Sequence, residues 1–144
     1  MGIGKGRVNA AILRYAIQNE YLPIFLTAEP GLFSLIYRDI IDIDGVGEKM
    51  KPLIMNGYKS GGYEKKYDSR GKIVREKKPG ETSIIDAEGK EVIIAPQQTE
   101  IKQILAGKKL PSKYNMIFMT YSQVKADRVE YLKRVINSRN GKVI

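Results

Sequence analysis

The residues best suited to chemistry are gathered in one hexapeptide, Gly2-Ile3-Gly4-Lys5-Gly6-Arg7. Glycines let backbone N–H groups come close to an anion, because no Cβ intervenes. An apolar-periodic segment follows at once, so the hexapeptide opens a helix, and the partial positive charge of that helix start adds to the attraction. Lys5 supplies a mobile point charge of the kind that reaches outer phosphates. The common phosphate loop reads G-x-x-x-x-G-K-[ST]. With its Gly-Lys set on Gly4-Lys5, its first glycine falls before Met1, and Gly6 stands where a hydroxyl would bind Mg²⁺. On the six residues alone, a glycine-rich terminus without a ligand is the plainer reading.

The rest of the inventory narrows what chemistry is open. The 144 residues include no cysteine and no histidine. Disulfides, thiolate nucleophiles, histidine bases and the usual zinc sites are therefore excluded. Carboxylates, lysine, arginine, hydroxyls and backbone amides remain. The lack of cysteine fits a reducing compartment. The run Asp42-Ile43-Asp44-Gly45-Val46-Gly47-Glu48 lacks the ligand spacing of a calcium loop and reads as a solvated turn, so no metal ligand set is assigned. Met1-Gly2 begins a myristoylation pattern that Gly6 breaks. Residues 1–19 carry no acid and have Lys5, Arg7 and Arg14 on a helical pattern, which leaves a transit peptide as a minor alternative. No apolar run is long enough to span a membrane.

Charge is uneven. Residues 1–50 hold five Lys/Arg against six Asp/Glu, and residues 51–144 hold the other 20 against 10, for a net +9 over the chain. A polyanionic partner for the second part follows naturally, with solubilising surface charge nearly as good an account. Within it, Lys59, Lys65, Lys66, Arg70, Lys72, Arg75, Lys77 and Lys78 are interleaved with Tyr58, Tyr63 and Tyr67. Cations among aromatics suit single-stranded nucleic acid, through phosphate pairing and base stacking. The competing reading, slightly favoured on sequence, is a mobile insertion whose tyrosines pack locally.

The elements that must position these groups follow from periodicity. Residues 7–20 read as a helix with Val8, Ile12, Leu13 and Ala16 to one side, stopped by Pro23. Residues 23–28 form a short apolar strand of the two-sided, parallel-sheet type. After the turn Glu29-Pro30-Gly31, Leu32, Leu35, Ile36 and Ile40 share a helical face. Residues 52–57 suit another strand. Residues 83–86 and 91–94 flank a turn and read as a hairpin. Residues 98–107 read as a helix, with Thr99 as N-cap and Ile101, Ile104 and Leu105 on one face. Residues 116–119 form a second buried-type strand, residues 126–138 a helix with Val129, Leu132, Val135 and Ile136 inward, Asn140-Gly141 a turn, and residues 142–144 the start of a strand. This order predicts an α/β domain with a parallel sheet.

Three segments in this order resemble the strawberry notch-like family: Gly2–Arg7 opening a helix, Ile24–Ile40 with its Thr27-Ala28-Glu29-Pro30 centre, and Ile117–Val124 with Thr120-Tyr121-Ser122-Gln123. These are P-loop ATPases of helicase superfamily two, with related domains in large phage and mobile-element proteins. The resemblance covers nearly the whole chain, residues 58–95 least. It implies that residues 1–144 are the first RecA-like lobe, with a basic β-hairpin insertion at about 58–95. The Gly-Lys-Gly-Arg of the family matches this chain, so Gly6 is no departure. Two departures stand at the ends: the strand and first glycine before the loop, and the Asp-Glu motif expected after residues 142–144. The resemblance thus implies a lobe cut on both sides, with ATP hydrolysis a property of the intact parent. By position, Gly2, Gly4, Lys5, Gly6 and Arg7 match the phosphate loop, with Lys5 in the catalytic role. Thr27, Glu29 and Pro30, and Thr120, Tyr121, Ser122 and Gln123, match segments that lie along the nucleic-acid backbone. Simple helix capping by Thr27 and Thr120 can hold alongside. ATP and Mg²⁺ are the implied cofactors. DNA or RNA and the second helicase lobe are the implied partners, without a membrane, in the cytoplasm of a bacterial or phage-infected cell. The alternative is a catalytically silent, basic nucleic-acid-binding domain.

Overall fold

The computed structural model describes residues 5–41, 49–107, 109–139 and 142–144. Gly2 and Gly4 of the loop, the acidic turn at 42–48 and the Asn140-Gly141 turn lie outside the described residues.

A three-stranded parallel sheet organises the chain: β1 (Ile24–Thr27), β7 (Met116–Thr120) and β2 (Pro52–Ile54), in the spatial order β1-β7-β2. In register, Ile24 stands beside Ile117, Thr27 beside Thr120, and Leu53 beside Ile117 on the other side. β7 is central, and all five of its residues are buried, as its unbroken apolar run requires. Its side chains alternate between two cores. Met116 and Phe118 join Ala10 and Leu13 of α1 (Lys5–Gln18) and Phe33, Ile36 and Ile40 of α2 (Gly31–Ile41). Ile117 and Met119 join Ile101 and Ile104 of α3 (Gln98–Gly107) and Tyr131 and Val135 of α4 (Ala126–Ser138). The result is three layers, helices on both faces of a mixed α/β fold.

Connectivity explains the layering. From β1 the chain crosses through α2 on one face to β2, two positions away, then returns through α3 on the other face to β7 in between. Right-handed crossovers demand this change of face when the direction of travel reverses. The segment 142–144 continues the sheet beyond β1: Leu22 pairs in parallel with Val143, and Leu22 N–H donates to the Lys142 carbonyl at 2.8 Å.

Two antiparallel hairpins lie between β2 and α3. The first pairs β3 (Tyr63–Tyr67) with β4 (Ile73–Lys77), and every residue of both strands is exposed. The second pairs β5 (Ile84–Ile85) with β6 (Glu91–Ile93) and packs on α2, where Ser34 Oγ accepts from Ile85 N–H and Arg38 donates to the Asp86 carbonyl, both at 2.9 Å.

Several sequence expectations shift. α1 buries Ala10, Leu13 and Ala16, while Val8 is 60% and Ile12 43% exposed. The two alanines let the helix lie close against its neighbours, which a Val8/Ile12 face would prevent. In α2, Phe33 and Ser34 go inward and Leu35 faces out. β1 is less enclosed than its composition predicts, with Leu26 exposed. β2 stops at Ile54, because the chain turns at Asn56-Gly57, where Gly57 takes φ 71°. Thr99 lies inside α3 and is not its cap. In α4, Ile136 is 37% exposed and Tyr131 takes the inward position, its hydroxyl donating to the Lys109 carbonyl at 2.9 Å. Burial pushes that phenol up to about 12.

Candidate functional site at the carboxyl edge of the sheet

In open α/β sheets a crevice forms at the carboxyl ends of adjacent strands whose following segments leave to opposite faces. β1 and β7 meet that condition. After Thr27 the chain passes Ala28-Glu29-Pro30 into α2 on one face, and after Thr120 it passes a 3₁₀ turn, Tyr121–Gln123, towards α4 on the other. The structure therefore brings together the two segments that the sequence singled out separately: Thr27 and Thr120 are register partners at the strand ends. Both are buried, at 4% and 2% exposure. Glu29, Tyr121 and Ser122 are exposed, and Pro30 and Gln123 half-buried.

The Thr120 hydroxyl does not cap the turn that follows. It accepts from Asn56 Nδ2 at 2.9 Å and lies 2.9 Å from Ser122 Oγ, while Thr120 N–H donates to Asn56 Oδ1 at 3.1 Å. The Asn56 amide thus extends the β2–β7 ladder past its last backbone pair. Its own carbonyl accepts from Gln98 Nε2 at 2.9 Å, which ties the start of α3 to the same edge. The turn needs glycine for φ, and a Cβ on Gly57 would lie 2.5 Å from that Gln98 nitrogen and displace the amide from its bond to Asn56. Asn56 and Gln98 were not singled out on sequence. The Asn-Gly dipeptide after a strand is a turn signal, but the long-range pairing to Thr120 is invisible without the sheet order.

α1 leads by the short connection 19–23 into the amino end of β1, so it runs against the strand direction. Its first turn, the backbone of Lys5, Gly6 and Arg7, lies at the end of the helix away from that connection. Among the described residues no group of three acidic side chains gathers to hold a metal.

No protein-family model, curated protein or solved structure matches this chain.

Two open clefts lie elsewhere. One, of about 480 Å³, is lined by Ile17, Glu20, Tyr21, Asn115, Arg139 and Lys142; the other, of about 640 Å³, includes Glu100, Leu110 and Lys113. Both sit towards the amino ends of the strands, opposite the crevice, and neither includes a residue singled out for chemistry. Among the described residues no helix is long and apolar enough to cross a membrane.

Proposed function

We propose that this chain is part of a RecA-like lobe of an ATP-dependent helicase or translocase of the P-loop class, with β3–β4 as a basic insertion. The observation that carries the reading is the topology of the carboxyl edge. The Thr27 and Thr120 segments meet at strand ends whose exits diverge to opposite faces of the sheet. Gly2, Gly4 and Gly6 would let backbone amides approach the phosphates, and Lys5 and Arg7 would offset their charge. ATP supplies the phosphoryl group whose transfer releases free energy. Glu29, Tyr121 and Ser122 face outward beside the buried threonines, with Pro30 and Gln123 half-buried next to them, and these residues would follow a nucleic-acid backbone, positioning it without reading sequence. Mg²⁺, a second lobe and a cytoplasmic setting belong to the same reading. A catalytically silent, basic nucleic-acid-binding domain is the second reading, supported by the excess of Lys/Arg in residues 51–144.

Titration with a fluorescent ATP analogue in the presence of Mg²⁺ separates the two. Saturable binding is expected for the native chain, and Lys5→Ala is expected to weaken it at least about tenfold, the loss of one charge-assisted phosphate contact. Equal affinity in the variant rejects Lys5 as a phosphate ligand. No binding by the native chain favours the silent domain.

A further inference from the structure

The β3–β4 hairpin sorts its residues by face. Pairing sets Tyr63 opposite Lys77, Lys65 opposite Arg75 and Tyr67 opposite Ile73, and these six side chains share one face. That face has three cations, two tyrosines, an isoleucine and no acid. The other face carries Glu64 opposite Glu76 and Lys66 opposite Val74. There the like-charged pair is relieved, because Lys66 Nζ lies 2.7 Å from Glu76, which also raises the lysine's pKa. On the basic face Lys65 and Arg75 stand directly opposite each other, and among the described residues neither makes an ion pair. Like charges directly opposite destabilise a strand pair.

The tyrosines do not pack locally. Tyr63 is 67% and Tyr67 75% exposed, against the half-buried Tyr58 at the root, whose ring has Lys77 Nζ 5.7 Å from its centroid. An isolated two-stranded hairpin is marginal in water. This one is held at its ends instead. At the turn, Asp68 Oδ1 accepts from the N–H groups of Arg70 and Lys72, each at 2.9 Å, and Gly71 takes φ 76°. At the root, Lys78 N–H donates to the Gly62 carbonyl at 2.9 Å and Gly80 N–H to Glu91 Oε2 at 2.7 Å. The chain therefore holds out a face whose aromatics bury little and whose charges repel.

We infer that this face is a binding platform for single-stranded nucleic acid, with bases stacked on Tyr63 and Tyr67 and phosphates held by Lys65, Arg75 and Lys77. The charge calls for a polyanion, and the aromatics decide which kind. Tyr63, Lys65 and Tyr67 alternate along β3, spanning about 13 Å end to end. A flat ring on either side of a cation suits unpaired bases on either side of a phosphate. In a duplex the bases face one another and offer the rings no stacking surface. This face shares no residue with the carboxyl edge, and shares with the proposed function the class of partner.

The test is fluorescence anisotropy of a labelled oligothymidylate with the full chain, at low salt and without nucleotide. Failure here leaves the ATP reading untouched, and the reverse holds. The native chain is expected to bind. The pair Tyr63→Ala and Tyr67→Ala should weaken binding at least about tenfold, the pair Tyr63→Phe and Tyr67→Phe should retain it, and duplex binding should be insensitive to either. The pair Lys65→Ala and Arg75→Ala should reduce the slope of log K against log salt by about 1.4, the share of two single-strand phosphates. All four side chains are exposed, and an unchanged circular dichroism spectrum confirms that the fold persists. Native affinity in the alanine pair overturns the proposal, as does equal competition by a duplex at matched phosphate. Preferential capture of the chain by phosphatidylserine vesicles overturns it in favour of a lipid surface.

Discussion

Thr120 ties the end of β7 to the turn that follows β2. Its hydroxyl meets both Asn56 Nδ2 and Ser122 Oγ at 2.9 Å, and its backbone amide meets the Asn56 side-chain oxygen. The residue is 2% exposed, so water cannot replace a lost partner easily. Thr120→Val keeps the shape and removes the hydroxyl. It leaves the Asn56 amide without its acceptor, and the expected loss is about 1–3 kcal/mol in urea denaturation. Ser122→Ala, at an exposed position, is expected to cost far less. A Thr120→Val protein as stable as the native one would mean that Asn56 finds another partner. The two threonines were singled out through the family resemblance, and each also stands at the end of an apolar run that forms a strand. Asn56 was not, since its partner lies 64 residues away.

Strength of pattern decides which elements the sequence reveals. β7 was legible as an unbroken apolar run between polar connections, and it is the central strand. α4 matches its expected limits, whereas β2 ends three residues early because a turn intervenes. In α1 periodicity alone misplaces part of the buried face. Leu13 and Ala16 go inward as expected, but Ala10 joins them in place of Val8 and Ile12, the bulkier pair that hydrophobicity favours. The choice is made by α2, which α1 must approach closely, and the alanines allow that. The two faces therefore predict opposite responses. Leu13→Ala should destabilise by about 2–5 kcal/mol, because it opens a cavity between α1 and the core. Ile12→Ser, on the exposed side, should change stability by no more than about 0.5 kcal/mol. Equal effects in thermal or urea denaturation would contradict this orientation of α1.

At the scale of the molecule, the parallel sheet and the basic hairpin are separable in their physics. The two cores on either side of β7 draw on β1, β2, β7, the four helices and the β5–β6 hairpin, but on no residue of β3 or β4. The hairpin nevertheless carries six Lys/Arg between Tyr63 and Lys77 against three acids. It concentrates charge where the fold gains no burial. Its ends are already joined, because Gly62 and Lys78 are hydrogen-bonded across the root. Replacing Tyr63–Lys77 by an Asn-Gly turn should therefore leave the sheet closed by a two-residue connection of the type that hairpins favour. The expected outcome is a midpoint in urea shifted by less than about 1 kcal/mol in stability, together with loss of oligothymidylate binding. The slope of ΔG against urea should change little, since the residues removed are already exposed in the folded chain. A large drop in stability would show that the hairpin supports the core through its root, by way of the Gly80–Glu91 bond and the Lys77–Tyr58 contact. Retained oligonucleotide binding would move the polyanion site back to the carboxyl edge, where Tyr121 and Ser122 are exposed beside the paired threonines.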